Sequence, residues 1–168
     1  MKRIGLFYGS ETGDTASVAS MIAAELGRDN VDVHDVADAE PETLSRYDNL
    51  VIGTSTWGYG ELQGDWETFF PQLDGLDLSG KTVAFFGLGD QVNYTDVFLD
   101  AMGTLYEKFK ERGAMIIGHW QTTGYEFSGS AAVVNGDFVG LALDVNNQDD
   151  LTPHRITQWV SGISNQFQ

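Results

Sequence analysis

The sequence predicts an α/β fold in which a parallel sheet is covered by helices on both faces. Short β-rich runs alternate with longer segments of helical period, the pattern of strand–helix–strand units. The first run ends in a glycine- and hydroxyl-rich turn that leads straight into a helix. At 168 residues, with 42% hydrophobic, 20% charged and 12% aromatic residues, the chain can bury one full core without a disulfide or structural metal. Length sets the expectation of a single domain over 1–168.

Ile4 to Tyr8 is the first expected strand. Val18, Ile22 and Leu26 then recur at helical spacing, with Gly27 as a stop signal, so one apolar stripe faces the sheet. Val31 to Val36 is the second strand, Leu50 to Gly53 the third, running on into Thr54-Ser55-Thr56, and Val83 to Phe86 the fourth. Phe98, Met102, Leu105, Tyr106 and Phe109 repeat the helical design before Arg112-Gly113. Met115 to Ile117 starts a fifth strand. From Trp120 to about Gly140 the chain is rich in Gly, Ser and aromatics, an inserted loop or small hairpin, and Leu141-Ala142-Leu143 completes the strand beyond it. Thr152 as N-cap and Pro153 at the first helical position announce the last helix. Its buried stripe is Ile156, Trp159, Val160 and Ile163.

Nine Lys+Arg against 25 Asp+Glu give a net charge of −16, which repels nucleic acid and anionic membrane surfaces and favours partners with basic faces. The absence of cysteine excludes disulfides, thiolate metal sites and Cys nucleophiles. No segment reaches the ~18 consecutive apolar residues of a membrane span. The apolar run after Met1-Lys2-Arg3 ends at Gly9, too short for an export core. A cytoplasmic protein is expected. His34, His119 and His154 fall on three separate elements and form no metal set, and no Ser-His-Asp arrangement is visible.

The first strand runs through Gly9-Ser10-Glu11-Thr12-Gly13-Asp14-Thr15 into the first helix. Unpaired amides and the positive dipole end make such a turn a phosphate cradle. A nucleoside-triphosphate loop would need G-x-x-x-x-G-K-[ST], yet no Lys or Arg occurs between Arg3 and Arg28. Any phosphate here is held by neutral donors. Helix capping by Ser10, Thr12 or Thr15 is the competing explanation, although three hydroxyls exceed what a cap requires.

Ser10-x-Thr12-Gly13-x-Thr15 resembles the [ST]-x-T-G-x-T phosphate loop of flavodoxins. The likeness continues through Thr54-Ser55-Thr56-Trp57-Gly58-Tyr59-Gly60-Glu61-Leu62, Gly87-Leu88-Gly89-Asp90-Gln91 with Tyr94, and Leu143-Asp144 to Gln148. The fifth-strand insertion is similar to that of the long-chain branch. The resemblance implies a flavodoxin-like doubly wound sandwich, a five-stranded parallel sheet of order 2-1-3-4-5, with non-covalent FMN at the carboxyl ends of strands 1 and 3. It also implies which residues surround the cofactor: Ser10, Glu11, Thr12, Gly13, Asp14 and Thr15 at the phosphate; Thr56 and Asn146 near the ribityl chain; Trp57 and Tyr94 against the two ring faces. Gly58, Tyr59, Gly60, Leu88, Gly89, Asp90 and Asp96 complete the set. Backbone groups around Asp90 would bind the pyrimidine edge, with Gly89 allowing close approach, so Asp90 is not a base. Tyr59 fits either the flavin edge or a solvent-facing partner contact.

By the same resemblance the chain is a bacterial, monomeric, low-potential one-electron carrier that shuttles between neutral semiquinone and anionic hydroquinone. The Gly58 peptide would turn its carbonyl toward flavin N5-H on the first reduction, where glycine reaches φ > 0 at little cost; an ordinary turn glycine is the bland alternative. Both flavin loops lie in cation-free stretches, Arg46 to Lys81 and Lys81 to Lys108. A carboxylate ~10 Å away contributes only ~0.4 kcal/mol in water-like dielectric, but several together make the second potential strongly reducing; service to solubility alone is the alternative. Implied partners are ferredoxin/flavodoxin-NADP reductase, a 2-oxoacid oxidoreductase or nitrogenase reductase. A receiver domain would need acidic strand ends where the chain has Gly9-Ser10 and Thr54-Ser55-Thr56. The serious rival is a quinone or flavin reductase on the same scaffold, which would oxidise NADPH without a protein partner.

Overall fold

A computed structural model describes residues 1–168. Its strands are β1 (Ile4–Tyr8), β2 (Val31–Asp35), β3 (Asn49–Trp57), β4 (Glu61–Leu62), β5 (Thr82–Leu88), β6 (Met115–Ile117), β7 (Val133–Val134), β8 (Asp137–Phe138) and β9 (Leu141–Leu143). The helices are α1 (Asp14–Leu26), α2 (Pro41–Leu44), α3 (Gly64–Phe69), α4 (Asp100–Glu111) and α5 (Thr152–Ile163).

The main sheet runs β2-β1-β3-β5, and β6 and β9 share the far side of β5. Thr82 to Ala84 pair with β6 and Phe86 to Leu88 with β9, all in parallel. These two pieces are one fifth strand cut by the insertion, so the order 2-1-3-4-5 is the observed one. Counting both pieces, and the antiparallel β4 that folds back on the end of β3, gives a seven-stranded sheet where five strands were expected.

Strands buried on both faces read as continuous apolar runs, and alternation divides their side chains between two cores. Phe7, Leu50, Ile52, Val83 and Phe85 face Trp66, Phe69, Leu105 and Phe109. Ile4, Leu6, Val51, Ala84 and Phe86 face Val18, Ile22, Ile156 and Trp159. Gly53 is fixed by this packing, because a Cβ there would lie 1.9 Å from the Phe86 ring. The insertion carries the β7–β8 hairpin and its own aromatic cluster, in which Phe98, Tyr125, Phe127 and Phe138 meet ring to ring. The Arg155 guanidinium lies over the Tyr125 ring, 4.1 Å from its centroid, and burial pushes the Tyr125 phenol up to about 12.

Several features depart from the sequence expectation: the short α2 was not foreseen, and Phe98 precedes α4 instead of lying in it. A helix, α3, follows β4 and continues as a tight 3-10 turn over Phe70–Gly75. Its period was present in Trp66, Phe69, Phe70 and Leu73, although Pro71 and Gly64 obscured it. The expectation that Thr152 caps α5 is overturned. A 3-10 turn, Asp149–Leu151, runs directly into the helix, and Thr152 is itself helical at φ −57, ψ −50. A cap residue needs extended backbone to aim its oxygen at the following amides. The Thr152 hydroxyl is instead buried with no hydrogen-bond partner. Thr152→Val exchanges that hydroxyl for a methyl of the same shape and should raise unfolding stability by about 1 kcal/mol in urea titration.

Candidate functional site

The carboxyl ends of β1, β3 and β5 diverge onto a cleft of about 210 Å³. Strand order reverses here, since the chain passes from β1 outward to β2 and returns across β1 to β3; loops at such a switch point splay and leave a crevice.

One end of the cleft is the loop between β1 and α1. Gly13 precedes the helix in left-handed conformation, φ 95, and caps nothing with a side chain. The Ser10 hydroxyl accepts the Gly13 amide at 3.1 Å, which closes the loop on itself. No acceptor in the chain takes the amides of Ser10, Glu11, Thr12, Asp14, Thr15 or Ala16. Thr12, Asp14 and Thr15 line the cleft. Main-chain donors gathered at a helix start, with a left-handed residue among them, form an anion-binding nest. The loop is seated by Gln63, which is fully buried. Its Nε2 donates to Glu11 Oε1 at 3.0 Å, and its Oε1 accepts the amides of Asp65 and Trp66, capping α3.

The second wall is the end of β3. Trp57 is 40% exposed and its indole N–H donates to the Ser55 hydroxyl at 2.7 Å, which fixes the ring's tilt. Thr56 lines the cleft and its hydroxyl accepts the Ala101 amide at 3.2 Å, so it also caps α4. Gly58 holds φ 52 and Gly60 φ 85.

The third wall follows β5. Leu88, Gly89, Asp90 and Tyr94 line it, backed by Val97, Phe98 and Leu99. Tyr94 is 50% exposed. A Cβ on Gly89 would come within 3.0 Å of Leu99 and 3.1 Å of Phe98, so the close approach glycine allows there is to the protein's own side chains. Asp90 is buried and accepts from the amides of Val92 and Asn93, from Asn93 Nδ2 at 2.8 Å, from Asn147 Nδ2 at 2.8 Å and from Asn146 Nδ2 at 3.3 Å. Burial pushes its carboxyl up, but the bonds from Asn93, Asn147 and Val92 together outweigh it and hold the group down at about 2. A carboxylate so saturated with donors stays ionised and accepts no proton near neutrality.

Of the residues expected at the site, Thr12, Asp14, Thr15, Thr56, Trp57, Gly58, Leu88, Gly89, Asp90, Tyr94 and Asn146 line the cleft. Ser10, Glu11 and Gly13 shape the nest from behind. Tyr59, Gly60 and Asp96 do not line the cleft; Tyr59 and Asp96 follow and precede the lining residues Gly58 and Val97. Tyr59 is 72% exposed, and its hydroxyl donates to Asp96 at 2.5 Å, tying the loop after β3 to the loop after β5. That bond to Asp96 raises the Tyr59 phenol above its ordinary value. The sequence reading missed Ser55, Gln63, Asn147 and the Val97–Leu99 backing. Only Ser55 had a local signal, a hydroxyl two residues before the exposed Trp57. None of the histidines lines the cleft. The arrangement can bind an anion with neutral donors beside a planar ring between two aromatics.

A family model described as flavodoxin matches residues 6–159. A flavodoxin of Nostoc sp. is 52% identical over 166 residues, covering 99% of this chain and 98% of that one. Flavodoxin 1 of Escherichia coli is 48% identical over 164 residues, 97% of this chain and 93% of its own. The crystal structure of Fusobacterium nucleatum flavodoxin bound to flavin mononucleotide superposes with a TM-score of 0.96 at 32% identity, covering 100% of both chains.

Asp90 ionises at about 2 in the fold against an ordinary 3.8, so its bonds stabilise the fold fully above about pH 4 and are lost as pH falls toward 2. Asp90→Asn should lower stability at pH 7 by about 1–3 kcal/mol and flatten the acid limb between those pH values, measured by urea titration at stepped pH.

Proposed function

The chain belongs to the flavodoxin family, and from that premise we propose that its cleft holds one FMN non-covalently, with residues 1–168 acting as a single FMN-binding domain. The carrying observation is the nest of untaken amides of Ser10, Glu11, Thr12, Asp14, Thr15 and Ala16, free of cationic side chains, beside two half-exposed aromatic rings. That donor set fits a phosphomonoester and a flat conjugated ring together. Thr12, Thr15 and the nest amides would hold the phosphate, Thr56 and Asn146 the ribityl chain, Trp57 and Tyr94 the ring faces, and the main chain at Gly89 and Asp90 the ring's polar edge.

Bound FMN supplies the one-electron chemistry; the protein is an electron carrier and not an enzyme. Its residues bind, orient and exclude water. Ser55 aims the Trp57 ring, and the Tyr59–Asp96 bond straps the two aromatic loops together. No cation lines the cleft, whereas the carboxylates of Asp14 and Asp90 do. This sets a reducing second potential, because added negative charge meets negative charge already present.

The protein passes electrons between redox partners. Trp57 and Tyr94 line the cleft with exposed rings, and Tyr59 beside Trp57 is exposed too, within a chain of net charge −16. A partner with a basic rim around an apolar contact fits this, as in ferredoxin/flavodoxin-NADP reductase or a 2-oxoacid oxidoreductase, met by a monomer in the cytoplasm. No helix of the chain is long and apolar enough to cross a membrane.

Purified chain incubated with FMN should turn yellow, retain one flavin per protein through gel filtration and take up two electrons in separate steps during anaerobic titration. A chain that retains no flavin overturns the reading. Gly58 sits at φ 52, where a side chain costs about 1–2 kcal/mol; Gly58→Ala should lower the first one-electron potential in spectroelectrochemistry. Salt should raise the second potential by screening the carboxylates.

A further inference from the structure

Asp144 is completely buried and Asp90 nearly so, and neither is paired with a cation. The ion pairs of the chain lie elsewhere, Lys2–Asp48, Arg3–Asp32 and Lys108–Asp74. Arg155, buried in the same region, is spent on Gln148 Oε1 at 2.8 Å and on the Tyr125 ring. An ion removed from water without a counter-charge needs hydrogen bonds to offset several kcal/mol of lost solvation.

Those bonds come from amides. Asp144 accepts the Gln91 amide at 3.1 Å, Gln91 Nε2 at 2.7 Å, and the amides of Asn146 and Asn147 at 3.1 and 3.0 Å. Asn147 Nδ2 reaches Asp144 Oδ2 at 2.9 Å and Asp90 Oδ1 at 2.8 Å. It is the one side-chain nitrogen that serves both carboxylates. It also lies 3.2 Å from Asp144 Oδ1, so a single neutral amide sits between two negative charges. Gln91 extends the chain of bonds into the insertion, where its Oε1 accepts the Glu126 amide at 2.7 Å. Asp90 forms part of the cleft wall, whereas Asn147 stands behind it and does not line the cleft.

We propose that Asn147 is a positioning residue for electron transfer: by donating to Asp90 and Asp144 at once, it keeps two buried negative charges at the wall of the FMN cleft and so lowers the second one-electron potential. The inference rests on the FMN reading above. Without the Asn147 amide, two close buried carboxylates lose their shared donor, and like charges in a low-dielectric site then favour one bound proton. The wall loses one unit of negative charge, and the second electron becomes easier to add. Asp144→Asn removes one charge by a different route at nearly constant size, so the two changes draw on the same quantity.

The test compares wild type, Asn147→Leu, Asp144→Asn and the double variant as FMN-loaded proteins. Each single change should raise the second midpoint potential, and the double change should raise it no further than the larger single one. In the flavin-free chain, the Asp90 carboxyl followed by NMR should titrate about one pKa unit or more higher in Asn147→Leu than in wild type. Loaded Asn147→Leu with a wild-type second potential, or a double variant whose shift equals the sum of the singles, overturns the proposal. Should Asn147→Leu not fold, an unchanged second potential in Asp144→Asn overturns it equally, and a raised one supports it. Failure of the FMN reading is separate, since it appears in wild type as a chain that retains no flavin.

Discussion

The site depends on main-chain amides left without acceptors where β1 gives way to α1. Helix starts always leave such groups, but here the loop's own hydroxyls take only one of them, the Gly13 amide. Ser10 is committed to Gly13, and Gly13 turns left-handed in place of a capping residue. Gly9 lets this loop lie against α3, since a Cβ there would meet Gln63 Oε1 at 2.0 Å. The nest is therefore held from outside by Gln63, a buried amide on the loop after β4, and the geometry that receives an anion is built by tertiary packing.

This explains which parts could be read from the chain itself. β1, β3 and β5 were evident because both their faces are buried, leaving uninterrupted apolar runs bounded by glycine. The cut in the fifth strand was evident because Met115 to Ile117 and Leu141 to Leu143 are each too short to stand alone. α3 was missed, since a six-residue helix ending in a 3-10 turn shows barely two periods. Thr152 was misread because the capping signal is local, while the turn that displaced it is set by Asp149–Leu151.

Among the site residues, Trp57, Tyr94 and the hydroxyl loop carry their signal in their type: aromatics and hydroxyls in glycine-rich turns with no core to fill. Gln63 and Asn147 carry none. Their importance lies in bonds to Glu11, 52 positions away, and to Asp90, 57 positions away, which no window along the sequence contains. Side chains that touch a ligand are restricted in chemistry, and so are recognisable; those that hold the first group in place need only fit their neighbours.

Charge ties the remaining features together. A lysine in the nest would bind phosphate more strongly, yet it would also set a positive charge in the cleft and ease reduction. Neutral donors at the phosphate, amides in place of cations around Asp90 and Asp144, and a net charge of −16 all act in one direction. Such fields steer a basic partner from a distance, but at physiological salt they fade within about 8 Å, so they cannot hold the final contact. That falls to the exposed rings of Trp57, Tyr59 and Tyr94, where short-range apolar contact is compatible with rapid release. The residues that make the carrier reducing thus also keep its encounters brief, because only these few rings are left to resist dissociation once the long-range attraction is screened.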